Sequence, residues 1–221
     1  MSPDHQTLYE ALAEAAGSGR ELGPEWAARL SSDRELRAIA ERFGLEALAL
    51  PSRSVGVKAD LRAYEHPVML TGEASWDTLI QATSAITADA PGINRCVWNL
   101  ATETPVGAHA VAGTVTRRRL DLLREADAIV MQALERHGIY AAVWQCPTVL
   151  VPCALEYPGD GPEGEMSVVR PVASQRAMTA RPVELPTAMI ADLRRDILAL
   201  DGVTALALDL TSKPPGTIEW E

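Results

Sequence analysis

The sequence predicts an α+β fold built as two tandem two-layer units, each carrying its helices on one face of an antiparallel sheet. Three observations predict it. The order helix, strand, strand, helix, strand is met twice along the chain. The stretch PGINRCVWNLATETP (91–105) lies over DGVTALALDLTSKPP (201–215) without a gap, matching Gly92 to Gly202, Leu100 to Leu210 and Pro105 to Pro215. The 221 residues suffice for two units of about 100 residues, each able to bury a core. The units are set at 33–112 and 113–221, behind an N-terminal helical segment 1–32.

Taken in order, TLYEALAEAA (7–16) and PEWAARL (24–30) form two short helices joined through the GSGRELG turn. A further helix runs from Asp33 to Phe43, and strands follow at 53–57 (RSVGV) and 63–71 (AYEHPVMLT). Ser75 caps a helix to about Ala88, because its hydroxyl can accept from a free amide of the first turn. APG closes that helix, and INRCVWNLA is the next strand. In the second pass Thr116 caps a long amphipathic helix with Leu120, Leu123, Asp127, Val130 and Leu134 on one stripe and Ile129 and Ala133 beside it. Asp127 interrupts that stripe. AAVWQCPTVLV and MSVVRPVAS read as strands, LPTAMIADLRRDILAL as a helix with Pro186 near its start, and VTALALDLT as the last strand.

Composition narrows the function. Hydrophobic residues make up 47% and charged residues 23%, the balance of an ordinary globular protein. A net charge of −10 argues against a nucleic-acid surface, which needs clustered cations, and Arg117-Arg118-Arg119 opens a helical pattern and reads as its solvated face. Cys96, Cys146 and Cys153 fit neither a disulfide framework nor a zinc spacing and read as small buried apolar residues. His5, His66, His109 and His137 are scattered, so no metal is expected. No apolar run approaches the length of a membrane span, and residues 1–20 lack the pattern of a leader; a soluble, cytoplasmic protein is expected. AAGSGRELG is glycine-rich, but it lacks the Lys-Ser/Thr of a phosphate loop and follows no strand. The acidic loop with Glu156, Asp160, Glu163 and Glu165 reads as a surface excursion.

Four stretches, RSVGVKADLRAYEHPV, GINRCVWNL, RRRLDLLREADAIV and the terminal TSKPPGTIEWE, together resemble the C-terminal dimerisation region of GMP synthetase over about residues 33–221. The tandem units are similar to its eukaryotic-type arrangement, in which both halves of a bacterial dimer lie in one chain. That resemblance implies an intramolecular pseudo-dimer, expected to be monomeric when free. It also implies a purine nucleotide ligand, xanthosine monophosphate (XMP) or a relative. Upstream the chain departs from the family: it carries no SGGVDS-type pyrophosphate loop and no glutaminase segment. ATP and Mg are therefore expected only on a separate ATP-pyrophosphatase subunit, with no cofactor and no catalytic residue in this chain. The expected role is to hold the nucleotide while the partner carries out ammonia-dependent amination. The alternative is a non-catalytic binding or assembly protein with a degenerate site.

The family's phosphate site resembles a pair of cations, an arginine in a GDxRxYE stretch and the lysine of KPP. The first half supplies Arg62 with Asp60, Tyr64 and Glu65 around it, although Lys58, Ala59 and Leu61 depart from the pattern. The second half supplies Lys213, while Glu103 stands at its aligned place in the first half and no arginine matches Arg62 near Gly161. A carboxylate where phosphate should sit replaces attraction with repulsion, so one composite anion site, Arg62 with Lys213, is expected in place of two. Pro214 and Pro215 are expected to hold the backbone after the lysine as polyproline. By resemblance, Ile218 and Glu219 meet the purine and Trp220 anchors the tail. Read without the resemblance, Trp220 is a packing anchor, and Tyr64 and Glu65 are strand residues.

Overall fold

The computed structural model describes residues 24–58, 61–159 and 164–220. The helix expected at 7–16, the AAGSGRELG stretch, and Asp60, Asp160, Gly161 and Glu163 lie outside the described residues.

The first unit runs α1 (Pro24–Glu41), β1 (Glu46–Ala49), β2 (Ser54–Lys58), β3 (Leu61–Thr71), α2 (Trp76–Asp89) and β4 (Ile93–Asn99). A short strand, β5 (Gly107–Ala110), follows it. The second unit runs α3 (Arg117–Arg136), β6 (Thr148–Val151), β7 (Cys153–Glu156) and β8 (Glu165–Val169). The short strands β9 (Val172–Ala173) and β10 (Arg181–Pro182), the helix α4 (Thr187–Ile197) and β11 (Val203–Asp209) complete it. Setting β5, β9 and β10 aside, each unit is helix, three strands, helix, strand.

Helix α1 is continuous through Ser31 and Ser32, where the sequence suggested a break. Neither residue is Gly or Pro, and serine costs a helix only a few tenths of a kcal/mol. Ser75 accepts from the Thr78 amide and Thr116 from the Arg119 amide, so both caps form as read. The buried stripe of α3 is Ala126, Val130, Ala133 and Leu134, whereas Leu120 and Asp127 are exposed. Val130, Ala133 and Leu134 are thus buried as read, Ala126 takes the place of Asp127, and the carboxylate that interrupted the stripe faces water. The expected strand AAVWQCPTVLV shrinks to β6, preceded by a single 3-10 turn at Tyr140–Ala142. Strands β1, β5 and β7 were not anticipated.

The main sheet is mixed, with the order β1-β3-β4-β11-β8-β6 and β2 hydrogen-bonded to the start of β3. Strands β3 and β4 pair in parallel, as do β8 and β11, while the pairs β1·β3, β4·β11 and β6·β8 are antiparallel. This corrects the all-antiparallel expectation, and the reason is local: α2 and α4 are helical crossovers, which return the chain in the same direction. At the centre Trp98 faces Leu208 across β4·β11. These two positions are also aligned with each other in the repeat, so the strand order of one unit continues into its reverse in the other.

Alternation along the strands divides the core. Val68, Leu70, Cys96, Leu206 and Leu208 pack with residues of all four described helices, including Leu36, Leu79, Val130 and Leu193. The neighbours Met69, Val97, Val168, Ala205 and Ala207 point to the opposite face, which is covered by Ala108, Cys153, Leu155 and Trp220. Both clusters draw on both units, so the units share one sheet and one core. Burial raises the Cys96 thiol strongly and pushes Cys146 and Cys153 up to about 12, as befits inert apolar thiols.

Candidate functional site

The helix-free face of the sheet carries charge. Arg95 of β4, Asp209 of β11 and Arg170, which follows β8, share that face with Val97, Ala207 and Val168, and all three are fully buried. Arg95 meets Asp209 Oδ2 at 2.7 Å, and Arg170 meets Asp209 Oδ1 at 2.7 Å. Burial pushes the Asp209 carboxyl up, yet Arg170 and Arg95 outweigh it and hold the group below the ordinary carboxylate range. Burial also pushes the Arg170 guanidinium down, to about 10, because one carboxylate shared by two cations restores only part of the lost hydration. The arginine remains charged at neutral pH.

The rest of the compensation comes from the terminal segment. After β11 the chain crosses to the first unit and runs along the free edge of β2: Gly216 bridges Gly56, Val57 N–H donates to Pro215 O at 2.7 Å, and Val55 N–H donates to Trp220 O at 3.0 Å. Arg95 Nη2 donates to the carbonyls of Val55, Thr217 and Glu219, and Arg170 donates to those of Thr211, Thr217 and Ile218. Trp220 donates its indole N–H to Asp209 at 2.9 Å and lies under the Arg95 guanidinium, 4.9 Å from its ring centre. Buried guanidiniums therefore hold backbone carbonyls, the strong acceptors that a terminal segment otherwise leaves to water.

Between Thr211 and Thr217 the chain forms the loop that carries Lys213. Its N–H donates to Ala180 O at 2.8 Å, its carbonyl accepts from Ala180 N–H at 3.2 Å, and Gly216 N–H donates to Ser212 O at 3.0 Å. Residues 213–216 make a turn closed by that last bond, and not the expected polyproline extension; the Lys213–Pro214 and Pro214–Pro215 peptides are both cis. Lys213 is half-buried and Pro214 exposed. Arg62 is exposed on β3, directly opposite Val57, the residue whose other edge bonds Pro215. Two strand spacings, about 10 Å, thus separate the Arg62 backbone from that of Pro215.

The remaining expected residues divide. Tyr64 lies on the same face of β3 as Arg62 and is 59% exposed. Ile218 is 3% exposed and packs against Val172 and Ala180. The Glu219 side chain is exposed, while its carbonyl belongs to the Arg95 network. Trp220 is 8% exposed, an anchor by both burial and hydrogen bond. In the first unit Glu103 is exposed, and its carbonyl accepts from Asn99 Nδ2. Among the described residues no His, Cys, Asp and Glu side chains gather in a group of three that could hold a metal. Nor is any described helix long and apolar enough to cross a membrane.

Sequence reasoning missed Arg95, Arg170 and Asp209. A signal was present, because each is an isolated charge within an otherwise uncharged strand motif. The aligned halves also differ at these places, with Arg95 over Ala205 and Asn99 over Asp209.

Residues 132–220 match the model of the GMP synthase C terminal domain. The chain is 36% identical over 195 residues to a probable glutamine-hydrolysing GMP synthase of Leptospira interrogans, an alignment covering 83% of this chain and 30% of that protein. It is 48% identical over 115 residues to the glutamine-hydrolysing GMP synthase of Leifsonia xyli, covering 50% of this chain and 23% of the relative. With that of Thermobifida fusca it is 43% identical over 129 residues, covering 57% and 24%. The chain spans less than a third of the length of these curated relatives.

Proposed function

We propose, for a chain similar to the C-terminal region of GMP synthases, that it holds the phosphate of XMP or a related purine nucleotide between Arg62 of the first unit and Lys213 of the second. A separate ATP-pyrophosphatase subunit supplies ATP, Mg and the activating chemistry, and ammonia from glutamine completes the amination. On this reading the nucleotide-holding chain is a component of a carbon–nitrogen ligase of purine biosynthesis, acting in the cytoplasm.

One observation carries the reading: Val57 pairs with Arg62 on one edge and bonds Pro215 on the other, so the lysine loop and the arginine strand are joined through a single intervening strand. The two cations differ in use. Arg62 offers a planar fork to two phosphate oxygens, and Lys213 a compact charge that is already half-buried. Because its loop is bonded to Ala180, little further ordering is needed on binding. Tyr64 and Glu219, both exposed, supply polar groups for the nucleoside, and Ile218 packs against Ala180, the residue to which the loop is bonded.

Calorimetry with XMP, GMP and IMP at moderate salt tests the site. One XMP per chain is expected, weakened tenfold or more by Arg62→Ala or Lys213→Ala. Mixing the chain with an ATP-pyrophosphatase subunit should then give ATP- and ammonia-dependent amination of XMP. No heat with any of the three nucleotides overturns the reading in favour of a non-catalytic assembly protein.

A further inference from the structure

The loop 212–216 is closed at its base by one side chain. Arg170 Nη1 donates to Thr211 O at 2.9 Å, just before the loop, while Nη2 and Nε donate to Thr217 O at 2.8 Å and Ile218 O at 2.7 Å, just after it. Among the described residues no other side chain bonds the carbonyls at both ends. The geometry points to Arg170 as the positioning residue of Lys213, a staple that fixes where the ammonium is presented without itself meeting a ligand.

Three features support that role. Arg170 is fully buried, so it is not a ligand contact. Asp209 orients its guanidinium through Oδ1, and Asp209 is in turn held by Arg95 and by the Trp220 indole. The three bonds also leave at the angles of a planar fork, which a lysine ammonium cannot reproduce toward three carbonyls at once. Arg95 comes from the first unit and Arg170 from the second, so the lysine loop is registered against both.

The inference rests on Lys213 being the cation that faces the nucleotide, and the test separates the two. Hydrogen exchange reads the staple alone. In Arg170→Lys the amides of Lys213 and Gly216 should exchange at least tenfold faster, with β8 and β11 amides changed less than twofold. Calorimetry with XMP reads the consequence: Arg170→Lys weakens binding about fivefold, Lys213→Ala tenfold or more, and the double variant no more than Lys213→Ala alone. Unchanged exchange at the two amides, or losses that add in the double variant, overturns the proposal. If native protein binds no XMP, the nucleotide reading fails while the exchange result still decides the staple. If Arg170→Lys does not fold, Arg170→Met is read by the same exchange criterion, since it leaves Arg95 and Asp209 as a neutral pair. In the native chain both amides should be protected at least a hundredfold, and absence of that protection also overturns the proposal.

Discussion

Residues 101–110 and 211–220 leave the paired central strands β4 and β11, and each segment crosses to the other unit. The first adds β5 to the edge of β7, with Gly107 opposite Glu156 and Ala110 opposite Cys153. The second lays 215–220 along the edge of β2. Even the turn into the crossing repeats: Asn99 Oδ1 accepts from Ala101 N–H, and Asp209 Oδ1 accepts from Thr211 N–H, two residues on in each case. The electrostatics do not repeat. The second crossing is fixed by a buried carboxylate and two guanidiniums, whereas the first has Asn99 for Asp209, Ala205 for Arg95 and, by strand register, Thr71 for Arg170. A buried ion without its partner costs several kcal/mol, so cation and anion are retained or lost together. The loop held by the buried ion cluster carries Lys213, and its counterpart without that cluster carries Glu103.

The largest effect should come from making the second crossing like the first. Asp209→Asn leaves two buried guanidiniums without an anion and should lower unfolding stability by about 3–5 kcal/mol in urea titrations. Asn99→Ala removes only neutral hydrogen bonds and should cost about 1–2 kcal/mol. Equal losses would break the comparison.

Next come the glycines where each crossing meets its strand. A Cβ at Gly56 would lie 2.8 Å from Pro215 O and 2.9 Å from Asn94 Cβ, a backbone and a packed atom that cannot swing away. A Cβ at Gly107 would meet Glu156 Oε2 at 2.5 Å, the end of a flexible side chain. Gly56→Ala should therefore cost about 1–3 kcal/mol and Gly107→Ala about 1 kcal/mol or less, read from thermal and urea unfolding.

A smaller effect sharpens the functional side. Lys213→Ala should weaken XMP binding tenfold or more, about 1.4 kcal/mol. Glu103→Lys should leave the calorimetric stoichiometry at one, because no guanidinium is expected to complete a second site. A second XMP per chain in Glu103→Lys would overturn the charge argument.

The smallest effect near neutral pH is a slope. Asp209 has a folded pKa held below its unfolded value of about 3.9 by Arg170 and Arg95 against the upward push of burial. Between the two values the unfolded chain binds more protons, so stability rises with pH there. This contribution is fully present above the unfolded pKa and is lost as pH falls through the folded one. Urea midpoints measured from pH 6 downward should drop most steeply in acid, and Asp209→Asn should flatten that drop.

What could be read ahead of the structure were the features that short stretches decide alone. Ser75 and Thr116 cap their helices because capping needs only a hydroxyl and an amide three residues on. Strand β1, with the sequence Glu-Ala-Leu-Ala, was illegible because its residues favour helix and only its pairing with β3 makes it a strand. Strands β5 and β7 escaped for the same reason, since each is a strand by virtue of its partner in the opposite unit. The surroundings of Ile218 were not legible either: it is buried against Val172 and Ala180, because the direction of a side chain in an irregular segment depends on what lies beside it.

The sequence by itself determined the order of the repeat, the helices α2, α3 and α4 with the caps at Ser75 and Thr116, the apolar alternation of the central strands, and the opposed charges at 103 and 213. Tertiary structure alone decided that each terminal crossing docks on the other unit, and that Arg95, Asp209 and Arg170 meet beneath the second one. The physical reason is range. Caps and periodicity act over a few residues, but the buried ion cluster joins positions 95, 170 and 209, whose mutual attraction exists only once the sheet has removed them from water.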